Sequence, residues 1–408
     1  PISIAAMGAF SQGEGFAPQR FTTTHQKSIE LGAPMIEAGL WYRPSYFPQG
    51  NEKTWQESCN REVQYVRENV GVVDVSTLGK IDVQGPDSAA FLDFIYINNF
   101  AKLASGKVRY GLMLREDGHV MDDGTVACIG KNHYVITTTT AAAGQVMTHL
   151  EFVSQCLVPD MDVTLMSVTE QWAQFAVAGP KSNELINLMV EETIDNDSCP
   201  YMGYKEVSFG NIKGRLFRIS FSGEHAYEIA VPSRYGESLF EILRMEASKM
   251  GGGLYGMEAL NVLRIEKGFI THAEIHGRIT AFDLGFQKMM SSKKDFIGKT
   301  AAMRPGLVDD QRDLLIGLKP INANDKLYSG SYLFELKASP VRAAQQGYTT
   351  SVGFSSELKT NLGLGFLRNG RARVGEQIKV VDHLRNAETI CKICDPIFLD
   401  REGERARG

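Results

Sequence analysis

Cysteine is scarce in this sequence: six in 408 residues, at Cys59, Cys128, Cys156, Cys199, Cys391 and Cys394. That is too sparse for a disulfide framework in a chain of this length. Cys391-Lys392-Ile393-Cys394 is a lone C-x-x-C with no second Cys/His pair beside it, so it reads as a strand whose cysteines pack. Basic excess is lacking too. Lysine and arginine number 43 against 48 acids, a net charge of -5. Binding a phosphate backbone needs a basic surface, so nucleic acid is excluded from the expected partners. No apolar run reaches the ~18 residues that would span a membrane. The N-terminus lacks the charged-then-apolar layout of a secretory signal. The expected compartment is therefore the cytoplasm, with no membrane partner. Residue 1 is proline, not methionine, so the chain is expected to be a fragment, a processed product or a split gene product.

Cofactor signatures are equally thin. Gly363-Leu364-Gly365 opens like a dinucleotide loop, but Arg368 stands where the third glycine belongs. No Walker motif is present, so no NAD site is expected within this chain. His272 and His276 have the spacing of a helical zinc pair. Glu274 is misplaced for H-E-x-x-H, and Gly268 and Gly277 bracket a loop, so no metal site is expected.

The length suffices for two or three domains. Residues 1–50 show little periodicity and carry the aromatic run Trp41 to Pro48, which reads as an extended N-terminal arm. Two stretches then resemble each other. Ile81 to Pro86 is a short strand followed by a helical run over 89–95. Phe175 to Pro180 repeats that strand, followed by a helical run over 183–189. Both carry Gly-Pro at the strand-to-helix corner, 94 positions apart, where proline's missing N–H is not needed. Two related halves are expected. A helix over 233–249, capped by Ser233 with Leu239, Phe240, Ile242 and Leu243 inward, and another over 256–267 stopped by Gly268, close the second half. Short β-like runs from about Asp309 onward predict an all-β domain, a barrel or sandwich.

Two hairpins carry the chemistry. Tyr110 to Val126 predicts two strands around the turn Glu116-Asp117-Gly118, the second strand ending in Asp122-Asp123. Arg215 to Val231 predicts two strands around Ser222-Gly223-Glu224, followed by Glu228. A strand carboxylate among apolar residues is costly without a partner, so Asp123 and Glu228 are the main candidates. Asp122 and Asp123 face opposite sides of a strand; one would point into a cleft and the other to solvent or a turn. Tyr227, Ile229 and Val231 share a face, leaving Glu228 on the other to accept adjacent N–H donors of a planar ligand or to make a salt bridge. Lys293-Lys294 reads as a charged surface turn, able to meet an acidic tail or a partner.

The stretches D-V-S-T-L-G-K-I-D-V-Q-G-P (74–86), Y-G-L-M-L-R-E-D-G-H-V-M-D-D-G (110–124), F-S-G-E-H-A-Y-E-I (221–229), E-A-L-N-V-L-R-I-E-K-G-F (258–269) and K-K-D-F-I-G-K (293–299) resemble the folate-binding aminomethyltransferase family, of which glycine-cleavage T-protein is the type. The run 167–180 and the aromatic run 39–48 resemble its branch of heterotetrameric sarcosine oxidase alpha subunits, in their C-terminal, folate-binding half. The resemblance covers residues from about 20 to the end.

It implies an α+β fold in a three-domain cloverleaf. Two related α/β, ferredoxin-like halves (51–160 and 161–308) follow the arm (1–50), and an all-β barrel spans 309–408. It implies tetrahydrofolate in a central channel. Asp123 matches the family's catalytic, folate-contacting aspartate. Tyr110 and Leu78 match residues lining the pterin pocket, and Glu228 matches the glutamate that grips the pterin. Phe221 stands where many members have tyrosine. Leu260 stands where T-proteins have an arginine on the folate tail, a departure that fits the oxidase branch. The implied reaction captures a methylene-iminium, formed by flavin-dependent oxidation of sarcosine, as 5,10-methylenetetrahydrofolate, with glycine and hydrogen peroxide as the other products. FAD and FMN are implied in a flavin-bearing beta subunit or at its interface, alongside smaller subunits. A free-standing aminomethyltransferase and a non-catalytic folate-binding module are the alternatives.

Overall fold

The computed structural model describes residues 19–408. Helix α1 (His25–Glu30) and the hairpin β1 (Met35–Ala38) and β2 (Trp41–Pro44) come first, then helix α2 (Trp55–Glu68). Strands β3 (Gly71–Asp74) and β4 (Gly79–Gln84) lead into α3 (Ser88–Ile95). Next come β5 (Lys107–Leu114), β6 (Val120–Gly130), β7 (His133–Thr138), α4 (Ala143–Phe152) and β8 (Thr164–Ser167). The chain continues through β9 (Trp172–Ala178), α5 (Ser182–Met189), β10 (Tyr204–Phe209), β11 (Ile212–Phe217) and β12 (Ala226–Pro232). It then forms α6 (Gly236–Lys249), β13 (Gly253–Leu254) and α7 (Met257–Glu266). The last strands are β14 (Asp313–Pro320), β15 (Tyr332–Phe334), β16 (Gln345–Ser355), β17 (Thr360–Arg368), β18 (Gln377–Asp382) and β19 (Ala387–Cys394).

One sheet of five strands has the order β5-β6-β7-β4-β8, and a second, of six, has β10-β11-β12-β9-β3-β13. Strands β14-β17-β16-β15-β18-β19 close into a barrel, which removes the exposed edges an open sheet would present. The α+β architecture with a terminal barrel is as the sequence implied. The sheets, however, do not follow the order of the chain: β3 pairs with β9 inside the second sheet, so the two halves share a strand segment.

Both Gly-Pro corners form. Gly85 and Gly179 take φ of 131° and 128°, and a Cβ at Gly179 would meet the Asn69 and Val66 carbonyl oxygens at 2.5 and 2.7 Å. Only glycine fits a corner of that kind. The GLG segment lies on β17, a barrel strand, and the C-x-x-C lies on β19 with Cys391 buried.

Several expectations need correction. Residues 25–44 are not an extended arm, because α1 and the β1–β2 hairpin fold there. Strand β6 does not end at Asp122-Asp123 but continues to Gly130, paired on both sides by β5 and β7. Asp-Asp-Gly has turn composition, and pairing overrides it. Residues 218–225, eight in all, join β11 to β12, so that hairpin has no tight turn. Ser233 caps nothing: it begins a 3-10 turn, and α6 starts at Gly236 without a side-chain cap. There Gly236 lies against Thr23 and Ala173, where a Cβ would clash. Ile242 is 48% exposed, not inward. Lys294 is not a surface group either, since its Nζ donates to the Asp93 and Tyr96 carbonyls.

Candidate functional site

Asp123 and Tyr110 come together on the β5–β6 hairpin. The Tyr110 hydroxyl donates to Asp123 Oδ2 at 2.7 Å, and the Tyr110 ring meets Phe286 edge-on at 6.1 Å. Burial, and then the charge of neighbouring Asp122, push the Asp123 carboxyl up to about 7, against the opposing pull of the Tyr110 hydrogen bond. Burial, and then Asp123, raise the Tyr110 phenol well above its ordinary value.

Asp122 does not point to solvent. It is fully buried, accepts from the Thr139 hydroxyl at 2.7 Å and from the Thr139 backbone N–H at 3.2 Å, and is raised to about 6 by burial. His272 Nε2 lies 2.6 Å from the Thr139 hydroxyl oxygen. Because that hydroxyl donates to Asp122, His272 Nε2 is the donor in this contact. His276 instead meets the Tyr348 hydroxyl, and the two histidines sit in a loop. Among the described residues no group of three or more His, Cys, Asp or Glu gathers to hold a metal.

Glu228, on β12, is 7% exposed. Gln174 on β9 donates to its Oε2, while Oε1 accepts nothing among the described residues. Burial raises its carboxyl, opposed by the Gln174 hydrogen bond and the nearby charges of Lys80 and Arg43. Lys80 Nζ donates to the Ser76 and Leu78 carbonyls at 2.8 and 3.0 Å, and burial lowers it to about 8. Arg43 donates one Nη to the Asp74 carbonyl at 3.0 Å, and its buried Nε has no partner among the described residues. Asp74 in turn accepts from Thr24 and from the Ser76 N–H.

Leu78 is half-buried against an apolar cluster that includes Val73, Val75, Tyr255 and Leu260. Its carbonyl ties it to Lys80 and so to the surroundings of Glu228. Phe221 makes its aromatic contact with Phe269, stacked at 5.8 Å and 19°, and is 38% exposed. Sequence reasoning missed Gln174, Lys80, Arg43, Thr139 and His272 as partners of the two acids. Gln174 left a signal: it is a polar residue inside the run Trp172-Ala173-Gln174-Phe175-Ala176, on a strand buried along most of its length.

The unpaired oxygen of Glu228 can accept an N–H donor. Among the described residues Glu228 Oε1 is an acceptor without a partner, whereas Arg43 Nε, equally unpaired, is sealed from solvent and contributes its charge alone.

The model of the GCVT N-terminal domain matches residues 24–294, and that of the glycine cleavage T-protein C-terminal barrel domain matches 314–400. Sarcosine oxidase subunit alpha of Rhizobium meliloti (strain 1021) is 46% identical over 99% of this chain and 41% of the relative. An aminomethyltransferase of Thermotoga sp. (strain RQ2) is 24% identical over 88% of this chain and 92% of its own. In fold, the glycine cleavage system aminomethyltransferase T from Bartonella henselae superposes with a TM-score of 0.80 at 19% identity, covering 94% of this chain and 98% of the other. The chain spans about two fifths of the length of the sarcosine oxidase subunits it matches. No helix among the described residues is long and apolar enough to cross a membrane. With one domain model covering more than half of its residues and a second covering the barrel, the chain belongs to the GCVT, or glycine-cleavage T-protein, family.

Proposed function

We propose that this chain is the tetrahydrofolate-binding part of a sarcosine oxidase-type complex. A flavin-bearing subunit, with FAD or FMN in it or at its interface, oxidises sarcosine. This chain passes the resulting one-carbon unit to folate as 5,10-methylenetetrahydrofolate, and glycine and hydrogen peroxide are the other products. The observation that carries the reading is the Tyr110–Asp123 pair, a half-buried carboxyl held near 7 with one oxygen unengaged among the described residues. Similarity to named sarcosine oxidase alpha subunits supports the rest.

Tetrahydrofolate supplies the amines that take up the carbon. Glu228 accepts ring N–H groups through Oε1, and the buried charge of Arg43 beside it favours the ionised carboxylate. Asp123, poised near neutrality, takes the proton an amine loses and stabilises positive charge before it does. Phe221 and Leu78 supply apolar surface. Holding folate where the electrophile arrives lets capture outrun hydrolysis to formaldehyde.

The test uses the assembled complex with sarcosine and tetrahydrofolate. Asp123→Ala is expected to leave oxygen consumption intact and divert the carbon to formaldehyde. An unchanged methylenetetrahydrofolate yield would remove the catalytic assignment and leave a folate-binding module.

A further inference from the structure

A cleft of about 1190 Å³ opens between the tip of the β5–β6 hairpin, the segment 276–283 and the barrel wall. Its chemistry runs against that of the chain. Four arginines and two aspartates line it, on a protein whose overall charge is -5. Arg312 is accounted for, since it forks onto both oxygens of Asp283 at 2.9 Å each. Asp313 stands opposite Arg368 across the β14–β17 ladder, but no oxygen of it lies within ion-pair distance. Arg278, Arg342 and Arg368 make no ion pair or side-chain hydrogen bond among the described residues.

Arg278, Arg342 and Arg368 are solvent-exposed, and cations without carboxylate partners on one concave surface focus a positive potential outward. That potential attracts an anion, and the planar guanidinium fork matches carboxylate and phosphate oxygens in pairs. The volume exceeds the roughly 300–1,000 Å³ of ordinary small-molecule pockets, so a single inorganic anion would leave most of it empty. Tyr332 is 42% exposed and lies 6.2 Å from the His383 ring, which adds a flat surface beside the cations.

We propose that this cleft binds an organic oligoanion, one carrying two or more phosphate or carboxylate groups, through Arg278, Arg342 and Arg368. The site is separate from the folate reading. His119, on its wall, precedes β6 and stands four residues before Asp123, at most about 13 Å along the extended chain.

Calorimetric titration of the whole protein with inorganic tripolyphosphate and, separately, with a γ-linked triglutamate tests this. Wild type is expected to saturate at one equivalent with at least one probe, with Kd below about 1 mM at low salt. Which probe binds decides between phosphate and carboxylate. Arg278→Ala and Arg342→Ala are each expected to weaken binding by about three- to tenfold, as partly exposed charge-assisted contacts do. The double variant Arg278→Ala/Arg368→Ala should abolish it. Lys213→Ala, an exposed cation on β11, is the control and should change nothing. These side chains hold no other part of the fold, so circular dichroism should be unaltered. Absence of saturation by both probes would overturn the proposal, as would a double variant that binds like wild type or a control that weakens binding equally.

Discussion

Tyr110 reaches Asp123 along the diagonal of the β5–β6 ladder, not straight across it. Leu112 is the residue opposite Asp123, and Tyr110 is paired with Thr125. The phenol is long enough to span the diagonal between same-face neighbours. Gln174 and Glu228 repeat the device: their direct partners are Ala230 and Ala176, and the amide crosses diagonally to the carboxylate. In each case a neutral donor on the adjoining strand holds one carboxylate oxygen and leaves the other without a partner among the described residues.

Removing the phenol should therefore shift catalysis along the pH axis. The Tyr110 hydrogen bond favours the ionised form of Asp123. In Tyr110→Phe the carboxyl should rise above its value of about 7. A bond worth ~1 kcal/mol corresponds to a move of somewhat less than one pH unit. The limb of the pH–rate profile for one-carbon transfer that reports Asp123 ionisation should move to higher pH by that amount. A profile that only falls in height would reduce Tyr110 to a packing role.

The same burial has a stability consequence. The folded-state pKa of Asp123 lies near 7, above the ordinary ~3.9 of an unfolded chain. The neutral form is favoured in the folded state. Its contribution is complete below pH ~4 and is lost as the pH rises through about 7. Asp123→Asn cannot ionise, so it should match wild type in urea unfolding near pH 4 and exceed it near pH 8, by about 1–3 kcal/mol. Equal midpoints at pH 8 would mean that the carboxylate is comfortable when charged. A gain in stability at the expense of activity is what a strained functional group produces.

Glu228 should govern affinity more than rate. Glu228→Ala removes a charged acceptor from ring N–H donors and is expected to weaken tetrahydrofolate binding by about 1.5–3 kcal/mol. Gln174→Leu keeps the charge but frees the carboxylate to rotate, so its loss should be smaller. Fluorescence titration of both variants separates the two effects. If Gln174→Leu costs as much as Glu228→Ala, the amide itself is the ligand contact.

The fold was legible where local pattern and tertiary demand agreed. The Gly-Pro corners at 85 and 179, helix α7 with Gly268 behind it, and five of the six barrel strands formed where their residues placed them, while the three-residue β15 left no pattern to read. The candidate acids were legible because a carboxylate in an apolar strand is anomalous whatever surrounds it. What supports them was not. Arg43, Lys80 and Gln174 converge on Glu228 from three separate strands, and no spacing in one sequence encodes that meeting. The Asp-Asp-Gly run on β6 misled because its turn composition is local, while β5 and β7 pair with it from outside. Helix α2 was missed although Thr54 caps it by accepting from the Glu57 N–H, and Thr54-x-x-Glu57 is a start signal that sequence reading can use.

Arg67 offers the clearest stability test outside the site. It leaves α2 and binds two carboxylates at once, Glu224 from the 218–225 connection and Glu266 at the end of α7. Glu266 is fully buried and also accepts from Ser355 on β16, so one guanidinium ties the second sheet to the helix that carries the barrel. Arg67→Met keeps the stem volume and strands Glu266, while Glu224 keeps Arg405. Breaking a buried pair by removing one partner costs about 3–5 kcal/mol, because the remaining charge has lost its compensation. Urea unfolding should show that loss as a lower midpoint. Arg67→Met/Glu266→Gln should recover part of it, since the amide removes the orphaned charge while keeping an acceptor for Ser355. A single variant within about 1 kcal/mol of wild type would show that Arg405, which reaches Glu224 at 2.9 Å, is enough on its own to hold these elements together.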